Sequence, residues 1–169
     1  MRVLVLLLVV GLTVFLFINR DRVKELEALG YPGVFLVSLL ANATLILPVP
    51  GVLFTSAMGA VFNPYLVALA AGTGATLGEL TGYMAGFSRQ GVIENRKWYD
   101  KVTSWMTKYG GITVLVLAFI PNPVFDIAGM VAGALRMPMW KYLIFSWIGK
   151  VGKMLLFALG GAELINLFL

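Results

Sequence analysis

The sequence predicts an all-α polytopic membrane protein: an inverted repeat of two re-entrant helical hairpins, each followed by a spanning helix, behind an N-terminal transmembrane helix. Three observations predict it. The chain is 60% apolar and only 12% charged over 169 residues, with a mean hydropathy of +0.91, whereas ordinary soluble domains carry roughly 25% charge. Two short apolar segments are each broken by a Pro-x-Pro, at Leu47-Pro48-Val49-Pro50-Gly51 and at Ile120-Pro121-Asn122-Pro123. Finally, the segments around these breaks recur in order at a nearly constant offset.

The prolines Pro48, Pro50, Pro121 and Pro123 matter because each removes a backbone donor and clashes with the preceding turn. In hydrocarbon an unpaired backbone group costs several kcal/mol, so irregular backbone survives only against protein or a water-filled cavity. Paired broken segments are a sequence pointer to a transport site.

The composition also excludes function classes. With no cysteine and no histidine, disulfides, thiolate metal sites, Cys nucleophiles and the commonest general base are absent. No cofactor and no metal site is expected, and an enzyme is the least supported class. The net charge of +5 reads as orientation and attraction to anionic lipid. A nucleic-acid partner would need a basic, water-exposed domain that this chain does not offer.

Along the chain, residues 1–29 make the N-terminal helix and a charged connector, and residues 30–169 the membrane domain. Val3 to Ile18 is an apolar run of 16, followed by charges at Arg20, Asp21, Arg22, Lys24 and Glu25, with no small-x-small cleavage site before them. An uncleaved helix is expected. Gly33–Leu47 and Gly51–Phe62 hold 15 and 12 residues, each short of the about 20 that a span requires. Together they read as one hairpin that enters and returns. Pro64–Phe87, 24 residues, can span, with proline at a tolerated first-turn position. A polar stretch from Ser88 to Lys108 follows; Trp98, Val102, Trp105 and Tyr109 share a helical face there. It reads as a basic amphipathic helix at headgroup level or as a solvated loop. Gly110–Ile120 and Val124–Leu135 form the second broken pair, and Pro138–Gly161 the second long run.

An offset of 74 places Gly59 on Gly133, Pro64 on Pro138, Gly78 on Gly152 and Gly86 on Gly160. The repeats are about 30–87 and 110–161, joined by an interfacial linker over 88–109. Basic residues set orientation. Arg2, Arg89, Arg96, Lys97, Lys101, Lys108, Arg136 and Lys141 fall on one side, against Arg20, Arg22 and Lys24 on the other. The positive-inside rule then puts the N-terminus in the cytoplasm of a cell-membrane protein and the C-terminus outside.

Four ionisable residues interrupt the apolar runs: Glu79, Asp126, Lys150 and Lys153. Intramembrane charges face a partner or a cavity. Lys150 lies about 18 Å into its helix from Pro138, and an Asp126–Lys150 pair is expected. Glu79, about 22 Å from Pro64, is expected to meet Arg89 or an interfacial lysine. Asn122 is expected to cap the helix that carries Asp126. Lys150 and Lys153 share a face and either hold a phosphate-bearing headgroup or pair with carboxylates for stability. Gly74, Gly78, Gly82 and Gly86, spaced by four, read as a smooth stripe for close backbone approach, within a repeat or in a homodimer.

The pattern resembles the DedA superfamily, whose shared core is the VTT domain. The likeness covers roughly Gly30 to Gly161. It is carried by Leu47-Pro48-Val49-Pro50-Gly51, Gly59, Gly78-Glu79-Leu80-Thr81-Gly82-Tyr83-Met84-Ala85-Gly86, Phe119-Ile120-Pro121-Asn122-Pro123, Ala128-Gly129, Gly133, Met137-Pro138 and Ile148-Gly149. The resemblance implies a lipid transporter or scramblase acting on phospholipid or polyprenyl-phosphate headgroups, with two facing re-entrant hairpins. The chain departs from typical bacterial members at Val52, where they carry glutamate, and at Ala118 and Val124, where they carry arginine. It retains the acidic residue as Glu79. The candidate headgroup site is Asp126, Lys150, Lys153, Asn122 and Glu79, and the expected partners are membrane lipids. Two other readings stay open: an ion-coupled transporter of a small solute on the same scaffold, and a non-transport membrane assembly factor.

Overall fold

The computed structural model of the chain describes residues 27–43, 51–88, 96–121 and 124–168. Every regular element among them is a helix: α1 (Glu27–Ala43), α2 (Gly51–Val61), α3 (Pro64–Gly78), α4 (Leu80–Phe87), α5 (Arg96–Tyr109), α6 (Gly111–Phe119), α7 (Phe125–Ala134) and α8 (Met139–Phe168). The helix expected over 3–18, the run Arg20–Glu25, Pro48, Pro50, Arg89, Asn122 and Pro123 lie outside the described residues.

Local chemistry sets several helix ends. Asn63 caps α3: its Oδ1 accepts from the N–H groups of Tyr65 (3.0 Å) and Leu66 (3.4 Å), and Pro64 fills the first helical position, where its missing donor costs nothing. The end of α7 is a Schellman turn, with Met137 N–H donating to Ala132 O (3.0 Å) and Arg136 N–H to Gly133 O (2.9 Å). Arg136 takes the left-handed position with φ 53°, which a residue with a Cβ occupies at a cost of about 1–2 kcal/mol.

Four expectations are corrected. The 64–87 run is interrupted at Glu79, where ψ relaxes to −11°, although Glu79 N–H still reaches Ala75 O and Tyr83 N–H reaches Glu79 O, both at 3.2 Å. The final helix continues to Phe168 instead of stopping near Gly161, because no breaker follows. Helix α1 begins at Glu27, before the expected start at Gly33, through the helix-forming Glu27-Ala28-Leu29. The 96–109 stretch is a helix, but its buried residues are Val102 and Met106, with Tyr99 and Trp105 half-buried beside them. Trp98 and Tyr109 sit on its exposed side.

The surface is apolar and part of the interior polar, the reverse of a soluble protein. Leu40, Met84, Ile112, Ile148 and Leu156 are exposed, whereas Ser38, Thr55, Thr76, Glu79, Ser146 and Lys150 are buried. Among the described residues Met139–Glu163 is the one helical stretch long and apolar enough to cross a membrane alone, and Gly30–Ala43, Gly51–Val61 and Phe125–Ala134 are shorter apolar helices.

Contacts in the two halves correspond. Helix α1 runs beside α3 in the same direction: a Cβ on Gly74 would strike Phe35 O, one on Gly78 would strike Leu39 O, and Thr81 Oγ1 donates to Ala43 O at 3.2 Å. Helix α6 runs beside α8 likewise, with Gly149 against Leu115 and Ala118 and Gly152 against Phe119. The arms α2 and α7 pack on the long segment of the opposite half, α2 on α8 and α7 on α4. At these crossings Gly59 meets the backbone of Ala158, Gly161 meets Ser56 O, Gly133 meets Tyr83 O and Gly86 meets Met130 O. Adding 74 to Gly59 and Ser56 gives Gly133 and Met130, and Tyr83 and Gly86 precede Ala158 and Gly161 by 75.

The expected glycine stripe is therefore shared between two neighbours: Gly74 and Gly78 serve α1, whereas Gly82 and Gly86 face α7. The ends of the 30–63 segment also meet, with the Tyr31 and Phe62 rings 5.7 Å apart and Asn63 N–H donating to Tyr31 Oη at 3.3 Å.

Gly86→Ala and Gly133→Ala are expected to force α4 and α7 apart and to cost about 1–3 kcal/mol each, as overpacking does. Gly33→Ala, which meets nothing within 4 Å, should leave stability unchanged or slightly raised. Thermal midpoints in detergent check this; equal losses at all three positions would contradict the assigned crossings.

Candidate functional site

The apolar interior is two clusters strung along α8. Tyr142 belongs to one, with Tyr83, Val102, Val114, Phe125 and Val131. Met154 and Ala158 belong to the other, with Val34, Met58, Phe62, Val67 and Ala71. Lys150 sits on α8 between these anchoring residues and is only 2% exposed.

Its ammonium donates to Glu79 Oε1 at 2.6 Å and to Asn42 Oδ1 at 2.8 Å, and it lies 4.7 Å from the centroid of the Phe125 ring. Asn42 in turn donates from Nδ2 to Ser38 O at 2.8 Å. Lysine carries three donors; two have oxygen partners here and an aromatic face lies close by. Four elements converge on this one cation: α1 through Asn42, the α3–α4 junction through Glu79, α7 through Phe125, and α8 itself.

The pairing corrects the sequence reading. Lys150 binds Glu79 instead of Asp126, and this is the ion pair formed among the described residues. Rise along a straight helix counts Cα positions only, whereas the lysine ammonium acts at the end of a flexible four-carbon stem. Asp126 lies in the first turn of α7, exposed, within electrostatic reach of both Lys150 and Lys153. The residue at the N-cap of α7 is Val124, without a side-chain cap bond; Asn122, the cap expected from the sequence, lies outside the described residues.

Lys153, one turn beyond Lys150, is half-buried. It lines a groove of about 260 Å³ with Phe119, Ile120, Pro121, Leu156 and Phe157. That groove adjoins Pro121 of the second break. Sequence reasoning missed Asn42, Ser38, Tyr142 and Ser146. The last two were legible, since Tyr142, Ser146 and Lys150 are spaced by four and share a face. Ser38 Oγ, Tyr142 Oη and Ser146 Oγ are buried with no hydrogen-bond partner among the described residues. The Tyr142 ring stacks on Tyr83 at 5.1 Å, and Tyr83 Oη donates to Met137 O at 2.6 Å. Among the described residues no three His, Cys, Asp or Glu side chains cluster in a way that holds a metal.

Two positions at which the resemblance implied a charge, 118 and 52, hold side chains that pack. Ala118 is fully buried, and a Cβ on Gly149 would lie 2.6 Å from the Ala118 Cβ, so an arginine at 118 has no room beside α8. Val52, half-buried, packs against the cluster that contains Met154, where a glutamate would set a charge beside apolar side chains.

The VTT domain model matches residues 49–163. The chain belongs to the VTT-domain family of the DedA superfamily. It is similar to the inner membrane protein YqaA of Escherichia coli, 32% identical over 128 residues that cover 73% of this chain and 85% of the relative. It is also similar to the vacuole membrane protein KMS2 of Arabidopsis thaliana, 32% identical over 91 residues covering 52% of this chain and 21% of the relative. A vacuole membrane protein 1 homolog of Dictyostelium discoideum is 36% identical over 62 residues, 37% of this chain and 15% of that protein. The chain thus spans about a fifth or less of the length of these vacuole membrane proteins. No solved structure matches it significantly. The relatives' names and the apolar exterior agree on a membrane location.

Lys150→Met is expected to lower stability by about 3–5 kcal/mol, the cost of leaving a buried partner charge alone. Combining it with Glu79→Gln should recover most of that loss, and Asp126→Asn should change little. Denaturation midpoints in detergent decide; a loss at Asp126→Asn equal to that at Lys150→Met would contradict the pairing.

Proposed function

We propose that this VTT-domain protein translocates lipids, passing phosphate-bearing headgroups between leaflets along the polar seam of α8. In this reading residues 30–87 and 110–161 are the two units of an inverted repeat. The pairs α1–α2 and α6–α7 are re-entrant hairpins, and the N-terminus and the basic 88–108 linker face the cytoplasm. The observation that carries the reading is Lys153: a cation half-buried beside a groove that is otherwise apolar, one helical turn from the Glu79–Lys150–Asn42 network. Lys153 would take the phosphate first, Asp126 would balance a headgroup cation, and the buried network would lie along the onward path. Acyl chains would stay in lipid throughout.

One observation favours a second reading. Lys150 is already doubly partnered and sealed from solvent, which suits a purely structural pair in a membrane assembly factor.

Reconstitution into vesicles holding a fluorescent-headgroup phospholipid separates the two. The wild-type chain is expected to expose inner-leaflet label to a membrane-impermeant quencher. Lys153→Ala should slow the exchange by about tenfold, roughly one charge-assisted hydrogen bond. Exchange no faster than in empty vesicles, from protein with an unchanged thermal midpoint, would overturn translocation and leave the structural reading.

A further inference from the structure

Away from the α8 seam, α5 and α6 enclose a second feature that translocation does not use. Helix α5 lies on the protein through Val102 and Met106. Its exposed side carries Arg96, Lys97, Lys101 and Lys108 against a single acid, Asp100. The lysines are placed by aromatic rings. Lys101 Nζ lies 4.9 Å from the Trp98 ring centroid and 5.0 Å from that of Trp105, and Lys108 Nζ lies 5.0 Å from that of Tyr109. Such contacts hold an ammonium without neutralising it.

Trp105 and Tyr109 are also one wall of a groove of about 270 Å³, whose other wall is Ile112, Thr113, Val116 and Leu117 of α6. The Thr113 hydroxyl is turned away from any ligand, since it donates to Trp105 O at 3.0 Å. The slot is accordingly apolar. It opens beside Ile112 and Val116, which are 59% and 44% exposed, on the surface that faces lipid in a membrane protein. Both cations thus lie on rings that line an apolar slot.

We propose that this groove seats one acyl chain of an anionic phospholipid, with Lys101 and Lys108 holding the headgroup, as a site separate from the α8 seam. Charge complementarity selects the occupant. A zwitterionic headgroup brings its own cation and gains little from two lysines, whereas a net anion is attracted to each of them. Tryptophan and tyrosine at the rim suit the headgroup level, where one edge of the ring is wet and the other apolar. The site does not depend on translocation and persists if that activity is absent.

Native mass spectrometry of the full chain in detergent, titrated with dioleoyl phosphatidylglycerol or dioleoyl phosphatidylcholine, tests it. One phosphatidylglycerol is expected to be retained in preference to phosphatidylcholine. The Lys101→Gln, Lys108→Gln double variant should bind it about thirtyfold more weakly, at the usual gain per surface lysine. Lys101→Arg with Lys108→Arg should keep the preference. Val116→Trp, which fills the slot and leaves both lysines, should weaken retention as well. The lysines are exposed, so the variants fold. Equal retention of the two lipids, or an unchanged affinity in the double-glutamine variant, would overturn the site. Unchanged retention in Val116→Trp would overturn the groove as the chain's seat.

Discussion

An ammonium placed among helices whose outer faces meet hydrocarbon has few tolerable surroundings. On the lenient scale a lysine at the centre of a membrane helix costs about 2.5–3.5 kcal/mol, and it survives by facing a partner. Lys150 is nearly sealed from solvent, so the position of everything around it follows from satisfying that one group. Glu79 supplies the charge and Asn42 a second acceptor. These two come from different elements, so α1, the α3–α4 junction and α8 must meet at one point. The interruption at Glu79 lies on that same residue: helical hydrogen bonding continues on both sides while the carboxylate reaches Lys150.

Such convergence needs helices that approach to backbone distance, and the glycines permit it. Gly74 and Gly78 let α1 lie against α3, which brings Asn42 level with the junction. Gly59 and Gly161 let α2 lie on α8, and Gly86 and Gly133 let α4 lie on α7. Close backbone packing replaces the hydrophobic driving force that is absent between helices in lipid. Each half therefore lends an arm to the other, and the ion pair joins the long segment of one half to that of the other. Local caps and turns fix the directions, as Asn63 does at the start of α3 and the Schellman turn at Arg136 does before α8.

Much of this was legible in the sequence. The helices on either side of the stretch 44–50, the helices that flank Pro121, the close glycine contacts and the four charges inside apolar runs follow from proline chemistry, glycine spacing and the cost of charge in lipid. What was not legible was which charges meet. Rise per residue places Cα atoms, whereas Lys150 acts at the end of a long stem, and its true partner lies where a helix is interrupted. Asn42 offered a signal, a lone amide near the end of an apolar arm, but a single polar residue does not name its partner. The face of α5 was rotated for a related reason. Trp98 and Tyr109 are large enough to dominate a hydrophobic pattern, yet amphipathic aromatics keep an edge at the surface while smaller Val102 and Met106 fill the contact. The interruption of the 64–87 run left no breaker stronger than Gly78.

The central claim is that Lys150 and Glu79 form the contact on which the two halves close. The most direct measurement is a solid-state NMR ¹⁵N–¹³C distance in lipid bilayers between the Lys150 Nζ and the side-chain carboxyls, assigned with Glu79→Gln and Asp126→Asn samples. The account predicts strong dephasing of Lys150 by a glutamate carboxyl at direct contact, matching the 2.6 Å N–O separation, lost in Glu79→Gln and retained in Asp126→Asn. Dephasing that survives Glu79→Gln and disappears in Asp126→Asn would contradict it.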